Sequence, residues 1–335
     1  MQEIITETET TPTTDERSLR DYVGIMLRGV CMGASDIVPG VSGGTMAFIL
    51  GIYQELIDSI RAVGQPPFLQ ALFRFRIKEI FDILNWKFLL AVASGILLAI
   101  FTLSQGLEWL LVNQPIVIWS FFFGLVLASV YVVSKRIDTW TPQLVMLLVL
   151  GTLGAYLLVG LVPVQTPETW WYLIFSGALA ICAMILPGIS GAFILVLLGK
   201  YQFILSAVNQ RDLVSIGLVG IGAVIGLITF AQILGWLFNR YHNMMIALLT
   251  GLMLGSLRRV WPWKEDVAWL QDSSTGQYVI DSHGEQIVTQ QVNMLPDLAS
   301  SAGVAEFGIA ILLFSIGLGA ILLLDRLAGD KLQTT

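Results

Sequence analysis

Apolar stretches long enough to cross a membrane alternate with short polar links, and the pattern predicts six ordinary spans. They lie near Phe88 to Val112, Ile116 to Ser134, Leu144 to Val162, Val214 to Phe238, Met244 to Leu257 and Ala305 to Leu324. Two further apolar regions, Leu19 to Ile60 and Trp170 to Val208, are each interrupted by a Pro-Gly pair and read as helical hairpins whose arms meet at the break. The pattern leaves open whether these hairpins are re-entrant or cross fully. Broken backbone at membrane depth is tolerated only where it is buried in protein or lines a water-filled cavity, so the two breaks mark the expected functional site.

The breaks are copies of each other. Pro39-Gly40-Val41-Ser42-Gly43 returns 148 residues later as Pro187-Gly188-Ile189-Ser190-Gly191, and the same offset carries Gly51-Ile52-Tyr53-Gln54 onto Gly199-Lys200-Tyr201-Gln202. Further on, Gly124-Leu125-Val126-Leu127-Ala128-Ser129 matches Gly251-Leu252-Met253-Leu254-Gly255-Ser256 at an offset of 127, because a polar insertion between Asp58 and Lys87 has no counterpart in the second half. Each repeat thus holds one hairpin and three spans. A hairpin returns to its starting side, so each repeat crosses an odd number of times and the second must be inverted. The expected fold is an all-α polytopic membrane protein of two inverted repeats. Residues 1–18 are expected to form a disordered cytoplasmic tail, 19–163 the first repeat, 164–327 the second with an extracytoplasmic loop at 262–303, and 328–335 a short C-terminal tail.

Composition agrees with that class: 56% of residues are hydrophobic and 13% charged, against about 25% charged in soluble domains. The net charge of −6 arises mainly in one loop, and no basic cluster suggests nucleic acid as a partner. No cleavable signal segment is expected. Arg61, Arg74, Arg76, Lys78, Lys87, Lys135 and Arg136 place their loops, and with them both termini, in the cytoplasm. Arg258, Arg259, Lys264, Lys200 and Arg211 then fall on the outer side, against the charge bias, where Arg258 and Arg259 could attract an anionic lipid headgroup.

Chemistry centres on the breaks. A helix starting near Ser42 or Thr45 presents unpaired N–H groups, and Gly40, Gly43 and Gly44 let an anion approach closely; Gly188, Ser190 and Gly191 repeat the arrangement. A phosphate or carboxylate is the ligand this suggests, and kinks that only serve packing are the alternative. Asp36 either couples transport to a proton or cation or caps the turn, and Arg28 is its candidate ion-pair partner. Cys31 and Cys182 read as buried packing residues. His242 and His283 lie far apart, so neither a metal site nor a hydrolytic triad is expected, and no cofactor is implied.

The stretch Gly33-Ala34-Ser35-Asp36-Ile37-Val38-Pro39-Gly40-Val41-Ser42-Gly43-Gly44-Thr45 with Gly51-Ile52-Tyr53, followed by Ala183-Met184-Ile185-Leu186-Pro187-Gly188-Ile189-Ser190-Gly191 with Gly199-Lys200-Tyr201, resembles the paired signatures of the bacterial polyprenyl-phosphate transporter (undecaprenyl-phosphate translocase) family. The resemblance implies a non-enzyme of the bacterial inner membrane that returns undecaprenyl phosphate from the outer to the cytoplasmic leaflet for envelope polymer synthesis. Ala192-Phe193 replaces Gly44-Thr45 in the second copy, which argues against equal roles for the two hairpins. A small-anion transporter is the alternative of the same class, and an intramembrane lipid phosphatase one of a different class. Membrane lipids are the expected surroundings; oligomeric state is not legible in the sequence.

Overall fold

The computed structural model describes residues 17–38, 41–164, 166–269, 278, 286 and 288–332, the side chains of 108, 209, 289 and 327–332 excepted. Pro39, Gly40, His283 and the tail expected to be disordered up to residue 16 lie outside the described residues.

The first half begins with α1 (Leu19–Ile37), whose N-terminus is closed by a reciprocal Ser18–Asp21 capping box. Beyond the break come α2 (Gly43–Ile49) and α3 (Tyr53–Val63), then the insertion as α4 (Pro66–Phe73) and α5 (Ile77–Ile83). Three long apolar helices follow: α6 (Trp86–Asn113), α7 (Pro115–Ser134) and α8 (Pro142–Leu158). The second half repeats the order with α9 (Trp170–Ile185), α10 (Gly191–Leu197), α11 (Tyr201–Gln210), α12 (Leu213–Ser256) and α13 (Ser301–Leu332). Between α12 and α13, β1 (Lys264–Trp269) pairs antiparallel with β2 (Val288–Asn293), so the expected all-α chain carries a small two-stranded ribbon in that loop.

Among the described residues, α6, α7, α12 and α13 are long and apolar enough to cross a membrane, which makes this a multi-pass membrane protein. All six expected spans fall in helices, although α8 stops at Leu158 and not at Val162. Helix α12 covers two of the expected spans and is kinked between them at Tyr241, where φ is −135° and ψ 46°. Gln114, which separates α6 from α7, has nearly the same backbone, φ −138° and ψ 54°. It lies 127 residues earlier, so the repeat extends to the turn conformation itself.

The hairpins are more broken than the sequence suggested. Each distal arm is a seven-residue helix followed by a separate longer one, and α10 and the apolar part of α11 meet at 107°. The repeated Gly51 and Gly199 cause this. Both adopt positive φ, 75° and 63°. At each, the following amide reaches back to close a Schellman cap, Ile52 to the Ala47 carbonyl at 3.0 Å and Lys200 to the Leu195 carbonyl at 2.8 Å. A Cβ on Gly51 would meet nothing within 4 Å, so only the left-handed backbone opposes substitution. Gly51→Ala is expected to lower stability by about 1–2 kcal/mol, read as a lower thermal midpoint, whereas Gly24→Ala, in open space within α1, is not.

Packing is duplicated as well. Helix α1 crosses α6 with Gly29 against the Val92 carbonyl and Gly95 against that of Met26; α9 crosses the start of α12 with Gly177 against Val219 and Gly222 against Ile174. Helix α7 meets α13 through Gly124 on Phe314 and Gly317 on Phe121, while α8 meets the end of α12 through Gly251 on Leu148 and Gly151 on Leu248. Small residues let these backbones touch, the general means of holding helices together in lipid. The α8/α13 pair is offset by 166 residues, longer than the other offsets because the β1–β2 loop has no counterpart in the first half.

Candidate functional site

The two breaks are hydrogen-bonded to each other. The Ser42 hydroxyl caps α2, accepting from the Gly44 amide at 3.1 Å, and lies within donating distance of the Met184 carbonyl at 3.1 Å and the Leu186 carbonyl at 3.4 Å, at the end of α9. In return the Gly188 amide donates to the Thr45 hydroxyl at 2.8 Å. Ser42 and Thr45 are 1% and 2% exposed, and all seven residues of α2 are buried. Glycine is needed at this contact: a Cβ on Gly44 would stand 2.5 Å from the Ile185 carbonyl oxygen, and one on Gly188 2.9 Å from that of Leu252.

The amides expected to receive an anion are therefore engaged. The Gly43 amide donates to Asp36 Oδ1 at 2.7 Å, so Asp36 acts as an internal cap at the start of α2. Arg28 is exposed and not brought to Asp36. Eight residues along one helix separate the two by about 12 Å and by about 80° of rotation. The copies are unequal, as Ala192-Phe193 suggested: Ser190 makes no side-chain cap to α10, and Phe193 stands where Thr45 would be. Gly191 packs its Cα against the Ala180 carbonyl oxygen, which a Cβ would approach to 2.6 Å. Cys31 faces outward from α1, correcting its expected burial, and Cys182 is half-buried. Among the described residues no cluster of His, Cys, Asp or Glu could hold a metal.

A second feature lies near Phe193. A cavity of about 210 Å³ is bounded by the end of α8, the turn after α12 and β2. Arg258 and Arg259, expected at the headgroup level, both line it, together with Lys264, whose role the sequence did not single out. Arg258 donates to the Tyr156 carbonyl at 2.9 Å and stacks 4.4 Å from the Tyr156 ring. Arg259 lies 5.4 Å from the Phe193 ring, and Lys264 Nζ 3.7 Å above that of Trp119. The Arg259 Nε and Lys264 Nζ atoms are enclosed without a hydrogen-bond partner. Burial, then the Arg259 charge, hold Lys264 well below the usual lysine range, with Asp266 acting in the opposite direction. The other outlying cations are not part of this cavity. Lys200 is spent on the Thr166 carbonyl at 2.6 Å, and Arg211 is the exposed left-handed cap of α11.

A sequence profile of the VCA0040-like, undecaprenyl phosphate translocase-like family matches residues 32–278. The chain belongs to this family. A "Polyprenyl-phosphate transporter" of Vibrio cholerae is 44% identical over 278 residues, covering 82% of this chain and 86% of the relative. A Staphylococcus aureus protein of the same name is 31% identical over 257 residues, covering 71% of this chain and 85% of the relative. No solved structure shows a significant match.

Proposed function

We propose that this chain is a lipid-carrier transporter that moves a polyprenyl phosphate, undecaprenyl phosphate in the first instance, from the outer to the cytoplasmic leaflet of the bacterial inner membrane, for reuse in envelope polymer synthesis. Both relatives are named as transporters and not as enzymes. In this reading the two halves are inverted repeats, 19–163 and 164–327, with both termini cytoplasmic, and the insertion's basic residues supply the orientation.

The observation that carries the reading is the mutual bonding of the two breaks. The costly part of such a lipid is its charged headgroup, since the prenyl tail can stay in hydrocarbon. Ser42, Thr45 and the Gly43, Gly44 and Gly188 amides form a polar seam whose bonds are now closed on one another and on Asp36. Opening the seam exchanges those partners for phosphate oxygens, and charge-assisted bonds from N–H groups replace the water the headgroup leaves behind. Releasing Asp36 from Gly43 frees a carboxylate at membrane depth, which makes Asp36 the candidate coupling group.

The test is leaflet exchange of a labelled polyprenyl phosphate in proteoliposomes. Exchange above protein-free vesicles is expected, with a fall of roughly tenfold in Ser42→Ala or Asp36→Asn, from the loss of one bond in the seam. Should the native chain give no exchange with or without a proton gradient, lipid transport is wrong and a soluble anion is the next substrate to try.

A further inference from the structure

We propose that the cavity walled by Arg259 and Lys264 is a binding site for a phosphate monoester, where the lipid headgroup is captured before it reaches the seam. The inference rests on the transport reading for the identity of the lipid, and on the geometry alone for the anion.

Two basic side chains sit side by side, each with an enclosed nitrogen that has no hydrogen-bond partner among the described residues. Leaving such a nitrogen without an acceptor is costly whether it is charged or neutral, and a fold retains it where something supplies the missing acceptor. Among the described residues Asp266 is the carboxylate whose charge acts on both, yet it accepts from the Gln291 amide at 2.7 Å and makes no ion pair with either. The cavity that Arg259 and Lys264 line has room for several waters at about 30 Å³ each, enough for a compact anion, which reaches the two enclosed nitrogens once these side chains turn toward it. A phosphate monoester fits the donor set: a planar guanidinium fork, a point-charge ammonium, and the Gln290 side chain on the β2 wall.

The surroundings favour a lipid as the source of that phosphate. Tyr156 and Leu161 line the cavity and are 48% and 57% exposed, with Leu157 and Val162 exposed beside them, so its rim is apolar where a prenyl chain would leave it. Phe193, beneath Arg259, belongs to the first turn of α10, three residues after Ser190. The cavity is thus adjacent in sequence to the second break.

Lys264 gives a signature that a merely structural role would not. The charged groups facing it are Arg259 and Asp266, and from α7 it meets only the Trp119 ring among the described residues. Burial and the Arg259 charge lower its amine, and an anion beside it acts in the opposite direction, so binding takes up protons over the pH range in which the free amine titrates and weakens as pH rises.

The experiment is calorimetric titration of the purified full chain at a series of pH values from 7.5 to 10, where a phosphate monoester with its second pKa near 6 is already a dianion. Inorganic phosphate and farnesyl phosphate serve as the two probes, each in buffers of different ionisation heat. Proton uptake with at least one probe is expected, tighter for farnesyl phosphate if the lipid is the source; equal affinity would make free phosphate the natural ligand of the same site. Lys264→Gln is expected to weaken binding about tenfold or more and to abolish the proton uptake. Lys264→Arg keeps the charge and restores affinity without uptake, and Arg211→Gln, outside the cavity, changes neither. Far-ultraviolet circular dichroism and the thermal midpoint report whether each variant folds. If Lys264→Gln and Arg259→Gln both fold and bind like the native chain, the site assignment is overturned, although leaflet exchange can still proceed. Absent exchange with normal binding overturns the transport reading and leaves the site.

Discussion

Replacing Gly44 by valine is expected to abolish leaflet exchange and to lower the thermal midpoint of the purified protein. The Cβ alone would stand 2.5 Å from the Ile185 carbonyl oxygen and 2.9 Å from that of Met184. Both are backbone atoms at the end of α9, and Met184 also lies opposite the Ser42 hydroxyl at 3.1 Å. Neither side can move without parting the breaks, so the substitution removes the Ser42 and Gly188 bonds together. Overpacking of a tight contact typically costs about 1–3 kcal/mol, and each lost hydrogen bond about 1 kcal/mol more. Thr45→Val is the milder companion, removing the acceptor of the Gly188 amide while nearly conserving volume. Exchange by Gly44→Val at the native rate, in a sample that remains monodisperse, would mean that the headgroup does not pass this seam.

The second large effect is a matched pair. Gly124→Leu and Gly251→Leu occupy the same place in the two repeats, each pressing a side chain into the backbone of a facing helix, at Phe314 and Leu148 respectively. Both are expected to separate their helix crossings and to cost several kcal/mol, because no flexible side chain can give way. Gly154→Leu and Gly106→Leu, where a Cβ meets nothing within 4 Å, serve as silent controls. Thermal unfolding in detergent reads all four. A large drop for one member of the pair and none for the other would show that the duplicated packing is not equally important in the two halves.

Much of this architecture was legible in the sequence because its signals are local. The Pro-Gly pairs and the two matched offsets locate the breaks and the spans without knowledge of any contact. The third offset, joining α8 to α13, left no motif, since those helices match only in where they are small. The second breaks were present as Gly51 and Gly199, but a glycine in an apolar stretch does not announce a positive φ. The free amides expected at Gly43 and Gly44 proved occupied because Asp36 and Ser42 are close enough in the chain to cap them. Lys264 was legible only as one of five cations against the charge bias, and its place in the cavity was hidden for the opposite reason. Its neighbours, Trp119 on α7 and Arg259 after α12, converge only in three dimensions, and a lysine just after the tryptophan pair Trp261 and Trp263 looks like ordinary interfacial anchoring.

The crossing pattern also has a bearing on how the chain comes together. Helices α7 and α8 belong to the first half by sequence, yet their close-packed partners, α13 and the end of α12, belong to the second. A nascent first half can insert its helices one by one, but α7 and α8 must wait in the lipid for neighbours that come much later in the chain, as Leu248 does for Gly151 and Phe314 for Gly124. Insertion and packing are therefore separated in time, and the last helix to emerge, α13, supplies the neighbour of α7. Neither half is a module that could be expressed, exchanged between relatives or lost in evolution without leaving the other with glycine-lined faces and nothing to place against them.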